Sequence, residues 1–332
     1  MDYGPFFLSL KDILKRMLKL LKHILLPVLA VVLALPVSCS GPGDATARLL
    51  EREDWDGIIS AYEDCRDSVN VRELSILNLA LASKGRLADD AFKYTQAFSM
   101  ALIPEWGWDL PSSALLSDIY YASGHMGLAQ KYAFEGLVCG DGGFDAGMMK
   151  RLVQTNMIYG AYDVAEKYIS RLERDRATRG WASAQRRFLG DDAAVEADPE
   201  YGPRRACVPA ENFVSNVRGI DEDYKDIIRA NPSFRPAVEY LGVYYLLDCD
   251  FDAFREFLDE FYGTQALPEL PLSFQEAACM MSTVDRGYWK KVGVDSAVYK
   301  RYGEFGRRLS SGLDMDRFAD TFWYYVMRVN SI

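Results

Sequence analysis

The chain has 332 residues, 49% hydrophobic and 26% charged, a globular composition that excludes a disordered chain. Lys and Arg number 38 against 48 Asp and Glu, a net charge of −10, opposite to the balance expected of a nucleic-acid binder. Two histidines leave little material for histidine-based metal or triad chemistry.

Residues 1–38 read as an address rather than as fold. Lys11, Lys15, Arg16, Lys19 and Lys22 form a basic region, and Ile24 to Val37 is an apolar run broken only by Pro27 and Pro36. Small residues around Cys39 follow, which is the layout of a secretory signal. The run of 14 residues is shorter than the roughly 20 a spanning helix needs. Val37-Ser38-Cys39 resembles the cleavage site of bacterial lipoproteins, although Pro36 stands where a leucine is usual and Leu35 sits one place early. That resemblance implies lipidation at Cys39 after cleavage, and a start at Met17 gives a more usual signal length than one at Met1. The alternative is an uncleaved N-terminal anchor that also uses Leu18 to Leu21. Either arrangement places the body outside the cytoplasm, on a bacterial membrane facing the periplasm or the cell surface. Without residues 1–38, 33 basic and 46 acidic residues remain, a net charge of −13. Residues 39–50 read as a tether.

From residue 51 the pattern is helical. Trp55, Ile58, Ile59 and Tyr62 fall at i, i+3, i+4 and i+7, and the same spacing recurs in Met149, Leu152 and Val153 and in Val238, Leu241 and Tyr245. Sustained two-residue alternation is absent, so the expected class is all-α. Gly124 and Gly160 are 36 residues apart, as are Ala129 and Ala165, which predicts helical hairpins repeating at a fixed interval. These residues resemble the tetratricopeptide repeat (TPR), most fully over 235–268. There Leu241-Gly242 and Tyr245 lie on the first helix, with Cys249 at the usual turn glycine and Phe254 at the usual small residue. The resemblance implies a right-handed α-α solenoid with units at 71–104, 110–143, 146–179 and 235–268. Asp54-Trp55, Leu79-Ala80-Leu81-Ala82, Glu239-Tyr240-Leu241 and Thr321-Phe322-Trp323-Tyr324-Tyr325 are also similar to an uncharacterised family of membrane-anchored, TPR-like bacterial proteins. That similarity covers most of 50–328 and implies a fold without an activity.

Acidic residues with Pro199, Gly202, Pro203 and Pro209 make 191–211 read as an exposed loop between helical blocks at 51–190 and 212–330. Residues 286–293 read as a second loop. Residues 316–328, with Phe318, Phe322 and Val326 on one face, read as a C-terminal capping helix.

Chemistry is sparse. His125 is the only histidine after residue 38 and reads as a turn or surface residue. The Gly140–Asp145 segment lacks the ending of a phosphate loop and the last ligand of a calcium loop. Asp89/Asp90, Asp191/Asp192 and Asp221/Asp223 read as helix starts or solvated loops. The six cysteines have no short metal or redox spacing. The basic run Arg171, Arg174, Arg176, Arg179, Arg186 and Arg187 reads as a solvated face. No catalytic residue, metal or cofactor is expected. If the first helices face inward as in TPR proteins, Arg72, Ser75, Asp118, Tyr121, Lys150 and Gln154 line a partner-binding surface. The loop Pro104 to Asp109 offers Trp106 and Trp108 as a ligand platform. The expected role is a non-catalytic envelope scaffold or adaptor for a protein or peptide partner. A glycan- or peptide-capturing lipoprotein is the alternative, and a hydrolase a distant third.

Overall fold

The computed structural model describes residues 43–63, 70–140, 143–209 and 219–330. The address segment, Cys39 and Cys65 lie outside the described residues. Among the described residues there are eighteen α-helices and no sheet; one isolated bridge pairs Tyr262 with Leu267. None of these helices is long and apolar enough to cross a membrane.

The N-terminal part comprises α1 (Gly43–Glu51), α2 (Trp55–Glu63), α3 (Val71–Ser83) and α4 (Leu87–Asp90). The stretch expected to be a tether is thus largely the short helix α1, and it packs against α2. Two hairpins follow, α5 (Leu110–Ala122) with α6 (Met126–Cys139), and α7 (Ala146–Ile158) with α8 (Tyr162–Leu172). Then come α9 (Arg179–Gln185), α10 (Asp192–Ala197) and α11 (Tyr201–Arg205). The C-terminal part holds α12 (Ile220–Ala230), α13 (Arg235–Leu247), α14 (Phe251–Phe261), α15 (Leu272–Met281), α16 (Tyr288–Lys291), α17 (Ser296–Ser310) and α18 (Phe322–Asn330).

Helix starts follow from short polar side chains that satisfy orphan backbone donors. Asn70 and Glu73 form a reciprocal capping box on α3. Asp109, Asp145 and Asp250 accept from the N–H groups of Ser112, Met148 and Ala253 at 2.8, 2.8 and 3.0 Å. Each of the two hairpins turns on a glycine with positive φ, Gly124 at 92° and Gly160 at 71°. Cys249 holds the corresponding place after α13 at φ 53°, so a side chain there adopts a conformation that glycine takes freely. Ala129 and Ala165 are fully buried, which lets the two helices of each hairpin approach closely.

In the unit around α13 the space is divided differently. Phe254 stands where a small residue is expected and is fully buried, edge-on to Phe274 at 5.3 Å. The room for Phe274 comes from Gly242, where an added Cβ would overlap the Phe274 ring. The Leu-Gly pair therefore admits an aromatic side chain from the next helix pair.

Helices α5 to α8 pack on one another in chain order. The rest does not. Helix α4 packs on α13 and α15, across 151 to 185 residues of sequence. Ala88 N donates to Glu239 Oε2 at 3.3 Å, Leu272 N to Asp89 Oδ1 at 2.7 Å, and Ser273 Oγ to the Ala88 carbonyl at 2.6 Å. One core accordingly joins residues from α2 to α5 with residues from α12 to α18, while a second spans α5 to α11. The hairpins α5–α8 thus leave and rejoin a body in which early and late helices touch.

Two expected loops are partly helical. Residues 191–209 include α10 and α11 and bury Val195, Tyr201 and Cys207. Their acids act as caps: Asp191 accepts from Ala194 N, and Asp198 from Glu200 N and Tyr201 N. Pro203 sits in the first turn of α11, where no helical N–H is needed. Helix α16 likewise buries Tyr288 within 286–293. Helix α18 is more than a cap. Phe322 and Trp323 are buried on adjacent faces, and Phe322 meets Phe92 from the N-terminal part at 5.0 Å.

Candidate functional site

Of the six expected inward positions, three are brought together through shared partners, and Lys150 lies beside them on α7. Helix α5 contributes Asp118 and Tyr121, and α7 contributes Lys150 and Gln154. The α5–α6–α7 stack puts the two first helices of successive hairpins side by side, with α11 laid against α7. Arg72 is exposed on α3. Ser75 is fully buried, and its hydroxyl donates to the Val71 and Met100 carbonyls at 2.9 and 3.3 Å, so it is spent on helix packing and faces no partner surface.

Three residues outside the expected set complete the cluster. Arg151 Nη2 donates to Asp118 Oδ1 at 2.8 Å, and its guanidinium lies 3.6 Å from the Tyr121 ring centroid. Tyr121 Oη and Gln154 Nε2 both donate to Glu200 Oε1, at 2.6 and 2.8 Å. Arg204, with its guanidinium 4.3 Å from the same ring, donates through Nε to the Tyr121 carbonyl at 3.1 Å and through Nη1 to the Glu200 carbonyl at 3.0 Å. Lys150 Nζ stands 5.5 Å from the Trp181 ring. Burial pushes the Asp118 carboxyl up, and Arg151 opposes this. Burial also raises the Tyr121 phenol well above its ordinary value, so at neutral pH it is a hydrogen-bond donor.

Arg151 adjoins Lys150 in sequence, and an arginine beside an expected inward position was a readable signal. Glu200 and Arg204 carried none, because their segment reads as loop.

His125 is buried, not a surface residue. Its Nδ1 accepts from Leu128 N at 3.3 Å and caps α6, so the proton is assigned to Nε2, which lies 3.1 Å from Asp223 Oδ2. Asp223 is fully buried and its Oδ1 has no hydrogen-bond partner. Ser123 Oγ bonds Tyr224 Oη at 2.6 Å beside this pair. The pair bolts the α5–α6 turn onto α12.

Trp106 donates through Nε1 to Ser113 Oγ at 2.9 Å and meets Tyr132 edge-on at 5.8 Å. Trp108 stacks on Trp106 at 4.1 Å, is 75% exposed and has φ 56°. One of the two expected platform residues is therefore packed, and the other is presented on top of it in a backbone conformation that side chains disfavour.

Within the basic run, Arg186 pairs with Glu173 and Glu166, Arg187 with Asp198, and Arg171 and Arg179 with backbone carbonyls. Hydrogen bonds from Arg186 and Ser183 lower the Glu173 carboxyl to about 2. Cys139, Cys207, Cys249 and Cys279 are free thiols. Among the described residues no group of three His, Cys, Asp or Glu side chains is arranged to hold a metal ion.

Comparison with curated proteins and with solved structures gives no match. A family model does match, over residues 45–328, which takes in every helix from α2 to α17 and nearly all of α1 and α18. The chain belongs to this family, a family of unknown function designated DUF6057.

Proposed function

We propose that this protein is a non-catalytic envelope scaffold, a TPR-like right-handed solenoid tethered to a bacterial membrane through a lipidated Cys39, with its body outside the cytoplasm. Its partner is another envelope protein or a peptide segment of one. The observation that carries this reading is the polar cluster of Asp118, Tyr121, Arg151 and Gln154, with Lys150 beside it, built across the first helices of two successive hairpins. Repeat hairpins bind extended segments through such a shared inner face. The residues there are hydrogen-bonded and aromatic-backed. The test is crosslinking and pull-down from native membranes. Wild type should capture one envelope partner and Lys150→Glu should lose it; equal recovery by both chains would remove the inner face from the account.

A second reading rests on Trp108. An indole that is 75% exposed and stacked on a fixed neighbour suits the face of a sugar ring. A glycan-capturing lipoprotein would show tryptophan quenching by oligosaccharides that Trp108→Ala abolishes.

A further inference from the structure

Arg151 has more donors than partners. It is 9% exposed, and while Nη2 reaches Asp118, Nε and Nη1 are buried with no hydrogen-bond partner among the described residues. A guanidinium offers five N–H donors in a planar fork suited to a carboxylate. One ring away such a carboxylate is present: Glu200 Oε1 takes the Tyr121 and Gln154 donors and makes no bond to Arg151. Glu200 is itself exposed and sits at the start of α11, a helix of five residues held down by Arg204.

We propose that this cluster is a carboxylate-binding site occupied in the free chain by its own Glu200, and that an acidic side chain of an incoming partner segment takes Glu200's place. This deepens the scaffold reading and rests on it. The exchange is favourable because the incoming carboxylate inherits the Tyr121 and Gln154 donors. As α11 shifts off α7, it also gains the Nη1 donor of Arg151, which Glu200 does not use. Charge supports the same direction. Arg151 pairs with Asp118, and Lys150 adds a second cation on the same helix. The rest of a chain whose net charge is −10 repels acidic segments, so an acidic partner finds attraction at this place. The covering segment sets the threshold, since a partner must compete with a tethered glutamate at high effective concentration.

The experiment is a tryptophan-fluorescence titration of the full chain with a pentaglutamate peptide, Trp181 beside Lys150 serving as reporter, and pentaglutamine as control. Glu200→Gln removes the internal competitor's charge and should bind pentaglutamate about tenfold more tightly than wild type, the scale of a charge-assisted hydrogen bond. Gln154→Ala on that background should lose about tenfold, and it touches a partly exposed side chain that folding does not need. Pentaglutamine should not bind. Equal pentaglutamate affinity of wild type and Glu200→Gln, or equal affinity for pentaglutamine, would overturn the proposal. Membrane crosslinking separates it from the scaffold reading. A partner captured equally by wild type and Gln154→Ala would remove the carboxylate site and keep the scaffold. Tight pentaglutamate binding with no captured partner would do the reverse.

Discussion

Glu276 permits a sharp test of the packing. It lies on α15, is 2% exposed, and its Oε2 accepts from Phe322 N at 2.7 Å, capping α18. Its own carbonyl accepts from Trp323 Nε1 at 2.7 Å. Burial drives its pKa from 4.5 to about 8, with the Phe322 hydrogen bond and Arg301 pulling the other way and Asp320 adding to the rise. The folded value lies above the unfolded one. Between about pH 4.5 and 8 the folded chain therefore keeps a proton that the unfolded chain has released. The resulting stability is full below the unfolded value and is lost as pH rises through the folded one. At 1.36 kcal/mol per pH unit, roughly 3 kcal/mol should disappear between pH 5 and 8. Glu276→Gln keeps an acceptor for Phe322 N and has no charge to desolvate. The assay is urea unfolding of both chains at several pH values. Glu239, Asp118 and Asp248 are also raised by burial and contribute in the same direction, but they cancel in the difference between the chains. The wild type should weaken by about 3 kcal/mol relative to Glu276→Gln over that range. Parallel curves would refute the reasoning and place a charged Glu276 in the folded core.

Gly242→Ala should destabilise by about 1–2 kcal/mol in urea unfolding. Overpacking against Phe274 costs about 1–3 kcal/mol and outweighs the helix propensity gained, about 1 kcal/mol. Adding Phe274→Leu should recover part of the loss, and a single variant more stable than wild type would contradict the close approach. His125→Ala should cost about 2–4 kcal/mol, because it takes the hydrogen-bond partner from the buried Asp223 side chain and also removes the α6 cap. His125→Ala together with Asp223→Asn should cost less than His125→Ala alone, and additive losses in chemical denaturation would show that the two residues are not coupled.

Local physics made most of the helices legible. Apolar residues at helical spacing located α2, α7 and α13, and the interval between Gly124 and Gly160 located the two turns, because each signal is carried within one turn or one hairpin. Cys249 and Phe254 were visible as departures, but what offsets Phe254 was not: the compensating space at Gly242 is filled by Phe274 from another helix pair. The loop reading of 191–211 missed α10 and α11 because capping acids and a first-turn proline, Pro203, have the composition of a loop. Glu200 and Arg204 were hidden for the same reason. His125 does lie at the α5–α6 turn, but its burial was hidden because its partner, Asp223, lies on α12, 98 residues away.

The buried carboxylates explain why early and late helices form one body. Glu239 on α13 accepts from the backbone of α4, and Glu276 on α15 accepts from the first residue of α18. Asp89 on α4 in turn accepts from the first residue of α15. Each acid satisfies a helix-start donor that has no partner within its own helix, and for the buried Glu239 and Glu276 the cost of burying the acid and the cost of burying the helix end offset each other. Simple hairpin stacking supplies no such pairing between the first unit and the last. The closure therefore depends on a few polar contacts as much as on Phe92, Phe322 and Trp323. The hairpins α5–α8 join that body at one end, through Leu115 and Ile119 of α5 and through the contact of His125 with Asp223 on α12.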